Sequence, residues 1–286
     1  MEYRYDIRSQ MPRYLYHYTS ISNFALIVKN RTICFNSLAN MDDPDEEIGR
    51  EIGRRTNIGK HLYVSCWTDE EQESIPMWNQ YAGGMHGVRI CLPVMPFKTY
   101  AYEEGEFGAS HDIVMHIDMS KYYYEDKITF PEDVTYGPIE YTEDDSKLYP
   151  IYKEIVPTGK VVKTSDGKFI AETKTFYQLS MFGKHKRTAW EFQKEWRYLI
   201  YTIPFGMKSY KSNDGEQDEE ISRRLDDESY KPVYERLFLD ISDEAFAQMK
   251  VLMGPKMNQG EKYMVNCLLS QSGFNGKVDE SSLKVK

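Results

Sequence analysis

Lys184 to Ile203 reads KHKRTAWEFQKEWRYLIYTI, and the fold turns on how this stretch is read. It starts as the end of a helix and finishes as a strand. Tyr198 to Ile203 are nearly all β-branched, aromatic or aliphatic, the composition of a strand buried on both faces. Gln193, Glu195 and Arg197 stand directly before it at alternate positions, on one side of an extended chain. An acid placed where a turn feeds a core strand is held on a rigid element, which suits catalysis. The same spacing also fits a solvated strand entrance carrying a Glu–Arg pair.

Outward from this stretch, the totals set limits. A chain of 286 residues with 41% apolar content can build one large core or two small ones. The 23 tyrosines pack rings while offering hydroxyls, fitting either ordinary core packing or a groove for a flat polar ligand. A net charge of −9 without a long basic run argues against a general nucleic-acid binder. Cys34, Cys66, Cys91 and Cys267 are scattered, with no CxxC pair and no His at zinc spacing, and read as free thiols of a cytoplasmic protein. No stretch is long enough to span a bilayer, and MEYRYDIRSQMPRY has no apolar core of a leader, so a soluble intracellular protein is expected.

Upstream, residues 1–13 read as a polar arm. Leu15 to Ser20 reads as a short strand, followed by a helix in SISNFALIVKN capped by Ser20 or Ser22. Thr32 to Phe35, His61 to Trp67 and Gly87 to Leu92 read as further strands. Between the last two, Glu73 to Tyr81 reads as a helix stopped by Gly83-Gly84. Asp42 to Glu46 (DDPDE) is a turn in which Asp43 and Glu46 accept backbone bonds. Residues 95–170 are rich in tyrosine and turn signals and read as an insertion or second antiparallel layer. Residues 172–186 read as a helix with Phe176, Leu179 and Phe182 inward, and residues 208–231 as a charged solvated loop. Downstream come a strand at Leu237 to Leu239, a helix at Asp243 to Lys250, a helix at Gly260 to Ser270 and a last strand within Val278 to Val285. Short strands mixed with helices, without regular βαβ alternation, indicate an α+β fold of mixed, mainly antiparallel sheets with flanking helices, in one domain over 14–286.

YHYTS at 16–20, DDPDE at 42–46, VSCW at 64–67, MWNQYAGGMHGVRI at 77–90, KRTAWEFQKEWR at 186–197 and LMGPK at 252–256 occur in an order that resembles the bacterial domain of unknown function numbered 2971. That family's turn usually reads Asn-Asp-Pro-x-Glu, and here Asp42 holds the Asn position. Its later run usually reads Trp-x-x-Glu-x-Glu, and here Gln193 replaces the first Glu after Trp190, with Glu195 retained.

The layout is also similar to the ADP-ribosyltransferase fold. That similarity implies NAD as substrate and assigns roles. Glu195 would stabilise the oxocarbenium-like transition state through a ribose hydroxyl. Gln193 would lie beside the acceptor. His17 and Thr19 would hold the ribose and shape the ring pocket, with Ser65 on the middle strand. Tyr81 would stack on nicotinamide, and Arg89 and Arg197 would meet the pyrophosphate, or simply pair with Glu or Asp. The implied activity is ADP-ribosyl transfer to a protein or nucleic-acid acceptor, or NAD glycohydrolysis, as in a toxin or anti-phage effector with an antitoxin or regulatory partner. The alternative is a non-catalytic binding or regulatory module that keeps the fold. Metal ligation is not expected, since no His or further acid stands at ligand spacing near Asp43 and Glu46. A serine hydrolase is disfavoured because Gly-x-Ser-x-Gly is absent.

Overall fold

The computed structural model describes residues 11–51, 54–124, 127–163, 167–206 and 215–285. Most of the arm expected over 1–13 lies outside these residues. Nine strands form the main sheet. In chain order they are β1 (Tyr14–Thr19), β2 (Thr32–Ser37), β3 (Leu62–Thr68), β4 (Val88–Pro93), β5 (Thr135–Pro138), β6 (Glu195–Tyr201), β7 (Arg236–Asp240), β8 (Lys250–Met253) and β9 (Lys277–Glu280). The sheet order is β7-β2-β3-β1-β4-β8-β9, with β6 pairing β3 and carrying β5 on its far side. All of these pairs are antiparallel except β8 with β9. The fold is α+β with mixed, mainly antiparallel sheets, as the sequence indicates.

The centre of the sheet is β3. One of its edges is filled along its whole length by β6, from Glu195 opposite Thr68 to Tyr201 opposite Leu62. The other edge is shared. There β2 pairs with Tyr63 and Val64, and β1 meets it only at Thr68, opposite Tyr16. The strands β1 and β2 therefore part from each other at the middle of that edge. All seven residues of β6 are buried, as a strand covered on both faces requires.

Because directly paired residues share a face, the register sorts the side chains. Leu15, Tyr63, Trp67, Ile90, Tyr198 and Ile200 point into the larger core. There they meet α1 (Ile21–Asn30), whose Phe24, Ile27 and Val28 are buried. The opposite face carries Leu62, Val64, Leu199 and Tyr201 in a smaller core. Further along that face, Tyr18 packs edge-on against Trp78 of α2 (Ile75–Tyr81), ring centroids 4.9 Å apart. Ser20 caps α1 by accepting from the Asn23 amide. Gly83 and Gly84, at φ 57° and 66°, follow α2 as expected.

Four expectations are corrected. Residues 172–186 are not a helix: Phe169–Tyr177 pairs with Lys153–Lys163 as a long hairpin, and only Leu179–Met181 makes a 3-10 turn. Thr173, Thr175 and Tyr177 in that run favour an extended chain, and this outweighs the spacing of the three apolar residues. The approach to Glu195 is likewise a short strand (His185–Lys186) and a 3-10 turn (Thr188–Gln193), not a helix end. Of the charged run 208–231, residues 208–214 lie outside the described residues, and Gly215–Asp226 is a helix, α3. Leu225 of α3 is 1% exposed, and Glu220 pairs with Arg223 and Arg224 one turn on, so the segment is anchored and self-paired rather than a solvated loop. Residues 95–170 are several pieces, not one layer: a small hairpin (Tyr100–Tyr102 with Ile113–Met115), β5 in the main sheet, and the first strand of the long hairpin.

The glycines of two sequence motifs meet. The Gly254 amide donates to the Gly87 carbonyl at 2.9 Å. A Cβ on Gly254 would lie 2.3 Å from the Met85 carbonyl oxygen. Gly254→Ala is therefore expected to cost about 1–3 kcal/mol, since the obstruction is backbone and cannot rotate away. Urea unfolding should show a lower midpoint with an unchanged slope.

Candidate functional site

The residues expected to act together divide between the two faces. Glu195 and Arg197 begin β6 on the face that carries Cys66 and Thr68 of β3, because Glu195 lies opposite Thr68 and Arg197 opposite Cys66. Lys194, at φ 42°, turns the chain out of the 3-10 turn into the strand. Gln193 is therefore not part of an extended run, and its alternation with Glu195 does not continue as read. Its side chain still reaches the same place: Lys186 Nζ donates to Gln193 Oε1 at 2.9 Å, and Gln193 Nε2 donates to the Tyr81 hydroxyl at 2.5 Å.

Four charged side chains close a buried network here. Arg197 Nε donates to Glu195 Oε1 at 2.5 Å, and Lys186 Nζ donates to Glu195 Oε2 at 2.7 Å. Arg197 turns its other two nitrogens to Glu46, at 2.6 and 3.0 Å, and Nη1 also donates to the Gly183 carbonyl at 3.2 Å. The Arg197, Glu46, Glu195 and Lys186 side chains are 0, 1, 4 and 6% exposed. Two acids face two bases, so the network is neutral as a unit. Burial by itself would raise the Glu195 pKa, but the Arg197 and Lys186 charges outweigh it and hold the carboxyl ionised at about 2. Glu46 goes the other way, raised by its burial despite Arg197. Burial also pushes the Cys66 thiol up, with the Glu195 charge adding to it, so Cys66 is no thiolate nucleophile.

His17, Thr19 and Ser65 lie on the opposite face. His17 is opposite Ile90 and Thr19 opposite Val88, both in the larger core. The His17 ring sits 5.0 Å from Trp67, and Nδ1 donates to the Cys66 carbonyl at 2.8 Å. Burial lowers its pKa, which leaves the ring neutral. Ser65 accepts from the Trp67 indole at 3.0 Å. The structure thus brings Gln193, Glu195, Arg197 and Tyr81 together and separates His17, Thr19 and Ser65 from them by the thickness of the sheet. Arg197 is occupied by Glu46 and Glu195. Arg89 spans Tyr16, its guanidinium 4.6 Å over the ring, and donates to the Glu71 carbonyl at 2.8 Å.

Glu46 and Lys186 belong to this site; the sequence reading gave Glu46 only a turn-fixing role and did not single out Lys186. Asp43 does fix the turn, its carboxylate Oδ1 accepting from the Asp45 amide at 3.0 Å, while Glu46 serves Arg197 instead. The second Asp43 carboxylate oxygen is buried without a hydrogen-bond partner. The available signal was joint: an acid after Asp-Pro and the basic pair Lys186-Arg187 both stand in the motifs that carry the family resemblance. A cavity of about 130 Å³ opens further along the same face, lined by Leu199, Tyr201, Gly137, Gly183, Glu132 and Lys184 among others, and does not include Glu195. Among the described residues no group of three or more His, Cys, Asp or Glu is placed to hold a metal ion, and no helix is long and apolar enough to cross a membrane.

Residues 77–198 match the family described as "Protein of unknown function (DUF2971)". The resemblance read from the motifs is borne out over that span. The YHYTS, DDPDE, VSCW and LMGPK segments lie outside it, and Glu46 and Cys66 from two of them complete the network around Glu195. No curated protein matches the chain, and no solved structure matches it.

Proposed function

We propose that this chain is a non-catalytic binding or regulatory module on an ADP-ribosyltransferase-like layout, with the Glu195 network as a structural tie. The observation that carries this reading is the occupancy of Glu195. Both of its oxygens are taken, by Arg197 and Lys186, in a side chain 4% exposed. A carboxylate that stabilises an oxocarbenium-like transition state must bond a ribose hydroxyl and present net negative charge. Here two cations cancel the two acids at close range, and His17 and Thr19 stand on the other face. What surrounds the tie suits recognition. Tyr16, Tyr81, Tyr141 and Trp190 are partly exposed around it, rings fit for a flat polar ligand, and the unpartnered Asp43 oxygen is an acceptor that a ligand hydroxyl or amide would satisfy.

NAD glycosyl transfer is the second reading, with the acceptor a protein or nucleic acid. Two observations favour it: Glu195 is held ionised, and β1 and β2 part at the edge of β3, which gives the sheet a split beside the Tyr16–Thr68–Glu195 row. It requires Lys186 to swing away from Glu195. The test is nicotinamide release from NAD, comparing the wild type with Glu195→Gln, with and without cell lysate. No release from either folded protein is the expected result. Release that disappears in Glu195→Gln would overturn the module reading and establish the transferase one.

A further inference from the structure

We infer that the hairpin of Lys153–Lys163 and Phe169–Tyr177 is a docking arm that seats on the acidic body of a second copy of this chain. The pairing runs from Lys153 opposite Tyr177 to Lys163 opposite Phe169, with a register shift between Pro157 and Val161. An arm of this length reaches about 35 Å at the usual rise per residue. Among the described residues no third strand pairs with either edge. A lone two-stranded ribbon is marginal in water, and a third element against it is the usual remedy. The root is fixed, with the Tyr152 hydroxyl and Lys153 Nζ both on Asp226, at 2.5 and 3.0 Å.

The arm is apolar on both faces. The register puts Ile155, Val161 and Phe169 on one face and Val156, Ile170 and Phe176 on the other. Phe169 is 72% exposed, Val161 64% and Ile155 56%. A solvated ribbon with a face of this kind on each side is a protein-binding surface, and two apolar faces do not suit a nucleic-acid groove. An open recess of about 290 Å³, between Val156 and Phe176 on one side and Lys160, Lys174 and Glu172 on the other, accepts side chains that are apolar with an acidic tip.

Charge selects the occupant. Residues 153–177 hold five lysines and three acids, a net +2, in a chain of net −9, so the remainder carries −11. Two arms laid against each other would oppose like charge. An arm laid on the other copy's body brings opposite charge together, and a two-fold axis makes the exchange reciprocal, forming the contact twice. The inference goes beyond the ligand reading of the Glu195 face and stands without it.

The experiment is sedimentation velocity of the full chain over a wide concentration range, at low and high salt, with circular dichroism as the folding control. The wild type is expected at twice the 33.7 kDa of one chain at low salt, dissociating as salt screens the contact. Val161→Asp/Phe169→Asp should weaken the dimer at least tenfold without altering the fold, because both side chains are exposed. Lys160→Glu/Lys163→Glu should weaken it as well and remove its salt dependence. A wild type that stays at one chain's mass throughout would overturn the inference, as would a dimer indifferent to both folded arm variants.

Discussion

Arg197→Met is expected to cost about 3–5 kcal/mol, the usual consequence of removing one partner from a buried ion network. The side chain lost is wholly buried, and it leaves Glu46 and Glu195 facing each other at 1 and 4% exposure with Lys186 as their shared cation. Native domains are stable by about 5–15 kcal/mol, so this one change consumes a large share of the total. Guanidinium unfolding monitored by tryptophan fluorescence measures it. The informative comparison is Glu46→Gln/Arg197→Met, which removes one acid and one base together and should recover much of the loss, because the buried Glu195–Lys186 pair is then left intact. A cost below about 1 kcal/mol for Arg197→Met would show that the network is not the tie described.

The second large effect is acid lability, and it begins at a histidine outside that network. His61 is 2% exposed, its Nε2 has no hydrogen-bond partner, and its ring stacks on Tyr230 at 5.4 Å. Burial, with Lys60 adding to it, lowers its pKa from 6.5 to about 3. Between those values the unfolded chain binds a proton that the folded chain refuses, so stability rises with pH across this window and is lost as pH falls through it. At about 1.4 kcal/mol per unit the full span is on the order of 5 kcal/mol. Glu195 has the same sign lower down. Its pKa falls from 4.5 to about 2, so its contribution is complete above pH 4.5 and disappears as pH drops toward 2. Glu46 has the opposite sign and acts above pH 4.5, where its raised pKa makes the folded state hold the proton more tightly. Melting temperature against pH should therefore fall steadily below pH 6.5. His61→Phe keeps a ring against Tyr230 and should flatten the upper part of that fall, whereas Glu195→Gln should flatten only the part below pH 4.5. A His61→Phe profile that parallels the wild type would refute the assignment.

The fold was legible where burial sets the pattern. Tyr198 to Ile203 reads as a core strand, and the structure runs that strand from Glu195 to Tyr201. Ser20 and the glycines after Tyr81 bound their helices because capping and positive φ are local requirements. The failures came where local pattern and tertiary partner disagree. Phe176, Leu179 and Phe182 have helical spacing, yet their segment takes its pairing from residues some twenty positions earlier. The candidate site was half legible. Glu195, Gln193, Arg197 and Tyr81 do come together. His17 does not join them, because one residue along a strand changes the face, and the register that puts Tyr16 rather than His17 opposite Thr68 is a property of the sheet. Glu46 and Lys186 were hidden for a related reason: a buried charge looks like a surface charge until its counter-ions are known.

The distance along the chain between Glu46 and Arg197, 151 residues, has a consequence for synthesis. At roughly 5–20 residues per second, a ribosome takes roughly 8–30 s to deliver Arg197 after Glu46. Through that interval the DDPDE turn is a nascent segment without its counter-ion, and the edge of β3 that β6 will cover is an open template for strand pairing with other chains. The last strand to reach the centre of the sheet is also the one that neutralises the buried charge. Cooperative closure therefore waits for residues 186–201, and a chain stalled before them would emerge as a substrate for chaperones.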